Sequence, residues 1–419
     1  MSQHKLRAAI YFVASTLSSL ITFLLLPVFT HALSAAELGQ YSLFQLVVSA
    51  SLPLVSLTLS TVIGRQFIEL QGAAFSRYFS SCFWLSWGSF IAICALAWLL
   101  QSVLLEWLKL EPFWIWMACI CAAAQGLLSI MVTMNTIQKK AMQYAAWRIV
   151  SATLIGFSAL VAVYVFHWGW QGIAGAQAAI SAVIIIALAL AMYRHGWLRG
   201  QVDKADSKHA LHYSTPLVVH ALAGMVATQV TDRLFVSYYL GIGEVGVYHV
   251  AQQLAMAMWL FVNAINLAWT PWYYERMKEG TPAAQRKIVV ATYQLFAFML
   301  LAAGLCIAIL WVLFPYLIGD GFEKARYLFP FLVIGFVFNG MYMITSTALF
   351  YSGHTKWIAI TTVSTALIGL ALNALLVPSV GMWGAAISTM LSMVAMYVIV
   401  WGIVMRRFTL PWRLARADA

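Results

Sequence analysis

Twelve stretches of about twenty apolar residues, separated by connections too short to fold on their own, govern what this chain can become. They lie near 8–32, 41–63, 81–105, 113–134, 149–166 and 173–193, then near 217–240, 247–270, 288–314, 328–351, 358–377 and 384–405. A helix of roughly 20 residues crosses the ~30 Å hydrocarbon core of a bilayer, so each stretch predicts one spanning helix. Composition points the same way: 63% of the 419 residues are hydrophobic and 9% are charged. An ordinary soluble domain carries about a quarter charged residues and has too little interior to hide so much apolar surface. The expected fold class is an all-α polytopic membrane protein of about 12 transmembrane helices.

The longest connection, 194–216, is polar, carries Asp203, Lys204, Asp206 and Lys208, and falls halfway along the chain. This places an N-terminal six-helix lobe at 1–193, a cytoplasmic linker at 194–216, a C-terminal six-helix lobe at 217–405 and a cytoplasmic tail at 406–419. The first apolar stretch follows Lys5 and Arg7 as a signal peptide would. At about 25 residues it exceeds the 7–15 of a signal-peptide core, and it reads as helix 1.

Charge sets the orientation. With both termini cytoplasmic, twenty of the 24 Lys and Arg fall inside, Lys109, Lys324 and Arg326 fall outside, and Arg233 lies within a helix. The acids divide evenly between the two sides, with Asp232 again within a helix, as expected of a rule that counts Lys and Arg alone. The net charge of +11 is therefore a topology signal, and no soluble basic face suggests nucleic acid. The protein is expected in the bacterial inner membrane. Its five cysteines, Cys82, Cys94, Cys119, Cys121 and Cys306, are scattered in apolar helices with neither disulfide nor metal spacing. No nucleotide loop, zinc motif or nucleophile elbow is present, so neither a catalytic residue nor a cofactor is expected.

The two halves resemble each other. ELGQY at 37–41 answers EVGVY at 244–248, VSATLIG at 150–156 answers VSTALIG at 363–369, and GIAGAQ at 172–177 answers GMWGAA at 381–386. The three matches occur in the same order at offsets of 207, 213 and 209. Six helices per half give both lobes the same sense across the membrane. Such parallel repeats are related by a pseudo-twofold axis along the membrane normal, and transporters place their substrate path between them.

Polar residues at membrane depth are the candidate site. Helix 7 holds the adjacent charges Asp232 and Arg233; Arg233 shares a stripe with Gln229, and Asp232 with Thr228. A charge at the helix centre costs about 2.5–3.5 kcal/mol, so it faces a cavity or a partner. The pair reads either as part of a lumen or as a structural ion pair. Helix 8 presents Gln252, Met256, Trp259, Asn263, Asn266 and Thr270 on one narrow face. Its counterparts in helix 2 are Gln45, Ser49, Leu52, Ser56, Leu59 and Ile63, and helix 1 adds Ser15, Ser18, Ser19 and Thr22. Small and polar residues also glue membrane helices together, which accounts for the serines; Asn263 and Asn266 read as lumen lining. Arg65 ends helix 2 at the cytoplasmic side, Pro27 and Pro53 are positioned to kink helices 1 and 2, and the histidines, His249 among them, read as surface residues.

LLLPVFTHALSAAELGQYSLFQLV at 24–47 resembles the helix 1–helix 2 signature of the Wzx-type O-antigen and polysaccharide repeat-unit flippases. TDRLFVSYYLGIGEVGVYHVAQQLA at 231–255 is similar to that family's helix 7–helix 8 signature. The family belongs to the multidrug/oligosaccharidyl-lipid/polysaccharide exporter superfamily. The resemblance implies translocation of undecaprenyl-pyrophosphate-linked oligosaccharide, O-antigen or a related polysaccharide, from the cytoplasmic to the periplasmic leaflet by alternating access. It further implies a cationic cavity to which Arg233 and Arg65 contribute, a coupling ion (H+ or Na+), and polymerase and chain-length proteins as pathway partners. A guanidinium fork suits phosphate oxygens. One intramembrane Arg is fewer than a strongly cationic lumen would hold. The rivals are a multidrug/cation antiporter of the same superfamily and a membrane polymerase or ligase of polysaccharide assembly. The antiporter calls for unpaired carboxylates at depth, the enzyme for a large outer loop.

Overall fold

The computed structural model describes residues 3–408 and 410–412; for residues 3–5, 8, 22, 227, 228 and 355 only the backbone is described. Thr22 and Thr228, expected on polar stripes, therefore have side chains outside the described residues, as does the tail from 413 onward. No strand occurs among the described residues, because in lipid each segment must satisfy its own N–H and C=O groups. The chain forms two compact units, 1–225 and 226–419.

In the first unit α1 (Gln3–Ala32) leads through Ser34 into α2 (Ala35–Ser56). Ser34 and Glu37 form a reciprocal capping box, with the Glu37 carboxylate accepting from the Ser34 N–H at 3.0 Å. Gly169 packs here at φ +59°, and a Cβ on it would stand 2.3 Å from Glu37 Oε1. The expected single helix over 41–63 is broken: Leu57 and Thr58 both adopt left-handed backbone, and α3 (Leu59–Glu69) starts afresh. Pro53 donates no N–H to the Ser49 carbonyl. Ser56 Oγ turns back onto the Leu52 carbonyl at 2.7 Å, so the polar stripe expected through Leu59 and Ile63 ends at the break. Then follow α4 (Gly72–Leu99), α5 (Gln101–Leu108), α6 (Pro112–Ile137), α7 (Ala141–Tyr164) and α8 (Gly169–Arg194). Gly126 of α6 lets α2 approach so closely that a Cβ would lie 2.7 Å from Ser56 Cβ. Leu59, Ile63, Phe79, Met131 and Met134 close the core beside it. Ser18 and Ser19 of α1 bond carbonyls of their own helix, as helix-packing serines do.

The expected linker is half helical. Asp203 Oδ1 accepts from the N–H groups of Ala205 (2.7 Å) and Asp206 (3.0 Å) and starts α9 (Lys204–Met225). Those two N–H donors hold the Asp203 carboxyl below the usual carboxylate range.

The second unit opens with a π-helical turn, Val226–Val230, and α10 (Thr231–Tyr239). It continues with α11 (Ile242–Glu279), α12 (Pro282–Leu317), α13 (Glu323–Tyr351), α14 (Thr355–Val380) and α15 (Met382–Arg407). Gly340 in α13 meets Val262 of α11, where an added Cβ would come within 2.5 Å, and Trp269 Nε1 donates to the Ile344 carbonyl at 3.1 Å. Each of the twelve apolar stretches is helical, and among the described residues eleven spans, α2 and α3 counted together, are long and apolar enough to cross a membrane. The exception is the stretch near 217–240, divided among α9, the π turn and α10. All five cysteines are free thiols in helices.

Candidate functional site

The cluster forms where α10, α11, α14 and α15 of the second unit meet, and the break in helix 7 positions it. Thr231 Oγ1 caps the π turn by donating to the Val226 carbonyl at 2.8 Å. The short α10 then carries Asp232 and Arg233 inward, at 5% and 7% exposure. They are the only acid and the only Lys or Arg buried among the described residues. A lone ion taken from water into a low-dielectric interior loses several kcal/mol, so its partners must be supplied locally.

Three helices supply them to Asp232. Tyr248 of α11 donates its hydroxyl to Oδ2 at 2.9 Å. Thr389 of α15 donates to the same oxygen at 2.5 Å, and Asn373 Nδ2 of α14 donates to Oδ1 at 2.8 Å. The Tyr248 and Thr389 hydroxyls lie 2.9 Å apart, which makes one connected network. Asn373 Nδ2 also reaches the Gly369 carbonyl at 3.0 Å, while Asn373 Oδ1 is buried without a hydrogen-bond partner. Arg233 points to a different neighbour: Nη2 donates to Gln252 Oε1 at 2.7 Å. His249 is 6% exposed beside the network. Reading it as a surface histidine is corrected here, because the residue after Tyr248 is carried into the interior where α11 packs against its neighbours.

Of the expected site residues, the structure brings together Asp232, Arg233 and Gln252. Gln229 is half-buried in the π turn. Asn263 and Asn266 are half-buried on α11, 11 and 14 residues beyond Gln252, about 16 and 21 Å along the helix. Among the described residues none of these three side chains bonds to the cluster. Arg65 belongs to the first unit, on α3, where its exposed side chain pairs with Glu69 at 3.0 Å. Sequence reasoning missed Asn373 and Thr389 as partners. The available signal was an isolated Asn within the apolar run ALNALLV, the kind of residue that requires a buried partner.

The first unit holds a neutral counterpart. Gln45 Nε2 donates to the Tyr41 hydroxyl at 2.8 Å, and Tyr41 donates to Gln177 Oε1 at 3.2 Å. Tyr41 and Gln45 match Tyr248 and Gln252 at the repeat offset of 207, whereas Asp232 and Arg233 match Leu25 and Leu26. The two repeats share the Tyr–Gln framework, and only the second has built charge into it.

A family model described as "Polysaccharide biosynthesis protein" matches residues 6–277. "Lsg locus putative protein 1" of Haemophilus influenzae is 26% identical over 370 residues, 84% of this chain and 86% of that protein. Among solved structures, the fold is similar to lipid II flippase MurJ in its inward closed conformation, with a TM-score of 0.75 at 13% identity over 95% of this chain and 87% of that one. It is also similar to an inward-facing multidrug resistance MATE family transporter of the MOP superfamily, with a TM-score of 0.64 at 16% identity over 96% and 97%. At these identities the two structures establish the fold, the two-lobed architecture of membrane transporters. Because the family model covers well over half of the sequence, the chain belongs to the polysaccharide biosynthesis protein family.

Proposed function

We propose that this protein is a flippase that moves an undecaprenyl-pyrophosphate-linked oligosaccharide repeat unit, of O-antigen or a related polysaccharide, from the cytoplasmic to the periplasmic leaflet. The observation that carries the reading is the placement of the buried charges. In a member of a polysaccharide family, the one acid and the one Lys or Arg buried among the described residues fall on the same helical turn beside a π-helical break.

In this account the lobes 1–193 and 217–405, joined by 194–216 with both termini cytoplasmic, alternate between inward- and outward-open states. Arg233 binds the pyrophosphate when Gln252 releases it, because its planar fork matches phosphate oxygens. The Asn263–Asn266 face of α11 meets the sugars, with Gln229 and Arg65 on the path. Asp232 serves the coupling ion. Its two oxygens, the Tyr248 and Thr389 hydroxyls and the unpartnered Asn373 Oδ1 form an oxygen-rich cluster suited to a proton or a small monovalent cation. The reading needs no chemistry on the substrate, which leaves the chain a transporter in the inner membrane, working with the polymerase and chain-length proteins of its pathway.

The Asp232 cluster also favours a second reading, a cation-coupled drug antiporter. Gene inactivation separates the two. The flippase reading expects loss of surface polysaccharide and accumulation of the lipid-linked repeat unit on the cytoplasmic face; the antiporter reading expects unchanged polysaccharide and raised sensitivity to cationic drugs.

A further inference from the structure

A second polar feature of the C-terminal unit lies outside the cluster, where α14 begins and α15 ends. Trp357 of α14 and Val398, Ile399, Gly402, Ile403, Arg406 and Arg407 of α15 line a groove of about 530 Å3. Its walls are aliphatic and aromatic, and its rim is cationic. Gly402 forms the floor: no atom lies within 4 Å of the place a Cβ would occupy. Arg407 stacks over the Trp357 ring at 4.7 Å, an arrangement that holds the guanidinium at the rim.

Both arginines are exposed, and among the described residues neither pairs with a carboxylate. The groove between α11 and α12 also carries cations, Arg276 paired with Glu279 and Arg286 and Lys287 exposed beside it. Among the described residues the rim of the α14–α15 groove therefore carries two positive charges without a paired carboxylate, at the helix terminus where the backbone dipole also favours cations. A cationic rim above an apolar channel is complementary to an amphiphile with an anionic head and a hydrocarbon tail. Trp and Arg at a helix end mark the headgroup level of a bilayer, and basic pockets between membrane helices bind anionic head groups.

We propose that this groove is a binding site for an anionic diacyl phospholipid. The phosphate sits between Arg406 and Arg407, and one acyl chain runs over Gly402 between Val398 and Ile403. The volume suits a head group and the first part of one chain, and none of the lining residues belongs to the Asp232–Arg233 cluster. It does not depend on the flippase reading; the proposed orientation decides only that the leaflet is the cytoplasmic one.

Purified full-length protein in phosphatidylcholine nanodiscs, titrated with phosphatidylglycerol and followed by native mass spectrometry and thermal melting, tests this. The wild type should retain one phosphatidylglycerol and melt higher in its presence. Arg406→Gln with Arg407→Gln should weaken binding about thirtyfold. Gly402→Leu fills the channel from a position whose Cβ has open space around it, keeps both charges, and should abolish retention while the melting temperature in pure phosphatidylcholine stays at the wild-type value. Glycerol phosphate, which has the head without the chain, should not compete. Wild-type retention in either variant, or loss in the arginine variant alone, would overturn the proposal in favour of diffuse surface charge. Displacement of the bound lipid by undecaprenyl phosphate, but not by excess phosphatidylglycerol, would overturn it in favour of the carrier lipid.

Discussion

Replacing Arg233 with Gln tests what the buried guanidinium does. Its Nη2 donates to an amide oxygen, Gln252 Oε1, at 2.7 Å. The shorter glutamine removes the charge and the fork and leaves an amide donor on the same turn of α10. Asp232 keeps its three donors from Tyr248, Asn373 and Thr389, so abundance should stay near normal. The substrate loses more. Two charge-assisted bonds from a guanidinium fork to pyrophosphate, at about 1.5 kcal/mol each, amount to about 3 kcal/mol, a drop of roughly 100-fold in transport at limiting substrate. Arg233→Lys restores the charge without the fork and should recover only part of the loss. The assay is surface polysaccharide per unit of membrane-inserted protein, with abundance measured on the same cells. Normal polysaccharide in Arg233→Gln would refute the assignment and transfer it to the Asn263–Asn266 face. If Asp232→Asn were equally damaging, both variants lost abundance, and the exchanged pair Asp232→Arg with Arg233→Asp recovered, the two charges would be a structural unit instead.

Other consequences are open to direct measurement. Asn373→Ala takes one of three donors from the buried Asp232 carboxylate, and should lower stability by about 1–3 kcal/mol in thermal melts of the detergent-solubilised protein. Gly126→Ala drives a Cβ to within 2.7 Å of Ser56 Cβ, and should cost about 1–3 kcal/mol by the same measurement, whereas Gly402→Ala should cost much less because its surroundings are open. For the proposed topology, single cysteines at Gly241 and Ser379 in a background lacking the five native thiols should label from outside intact cells, and those at Ser207 and Gly353 should not. Labelling of Ser207 from outside would overturn the orientation.

The apolar stretches were legible because the membrane reads a property that the sequence displays directly, twenty residues of hydrophobicity at a time. The breaks were harder to see. Pro53 announces a disturbance in helix 2, yet the chain turns four residues later, at Leu57 and Thr58, where nothing in the sequence marks left-handed backbone. The π turn at Val226–Val230 has no proline or glycine within it to announce it. The site divides in the same way. Asp232, Arg233 and Gln252 were legible because charge and amide stand out in an apolar helix. Asn373 and Thr389 join Asp232 from 141 and 157 residues away, and only tertiary packing selects them from the other polar residues of α14 and α15.

Transport without chemistry is the central claim, and one measurement addresses it most directly. Purified protein is reconstituted into liposomes carrying a polyprenyl-pyrophosphate-linked oligosaccharide, and the fraction of lipid accessible to an external lectin is followed with time. The account predicts that protein-containing vesicles expose the inner-leaflet pool while the recovered lipid stays chemically unchanged, and that Arg233→Gln vesicles do so about 100-fold more slowly. An inner pool that stays protected in wild-type vesicles, or a glycosidic or phosphoryl product appearing in them, would contradict it.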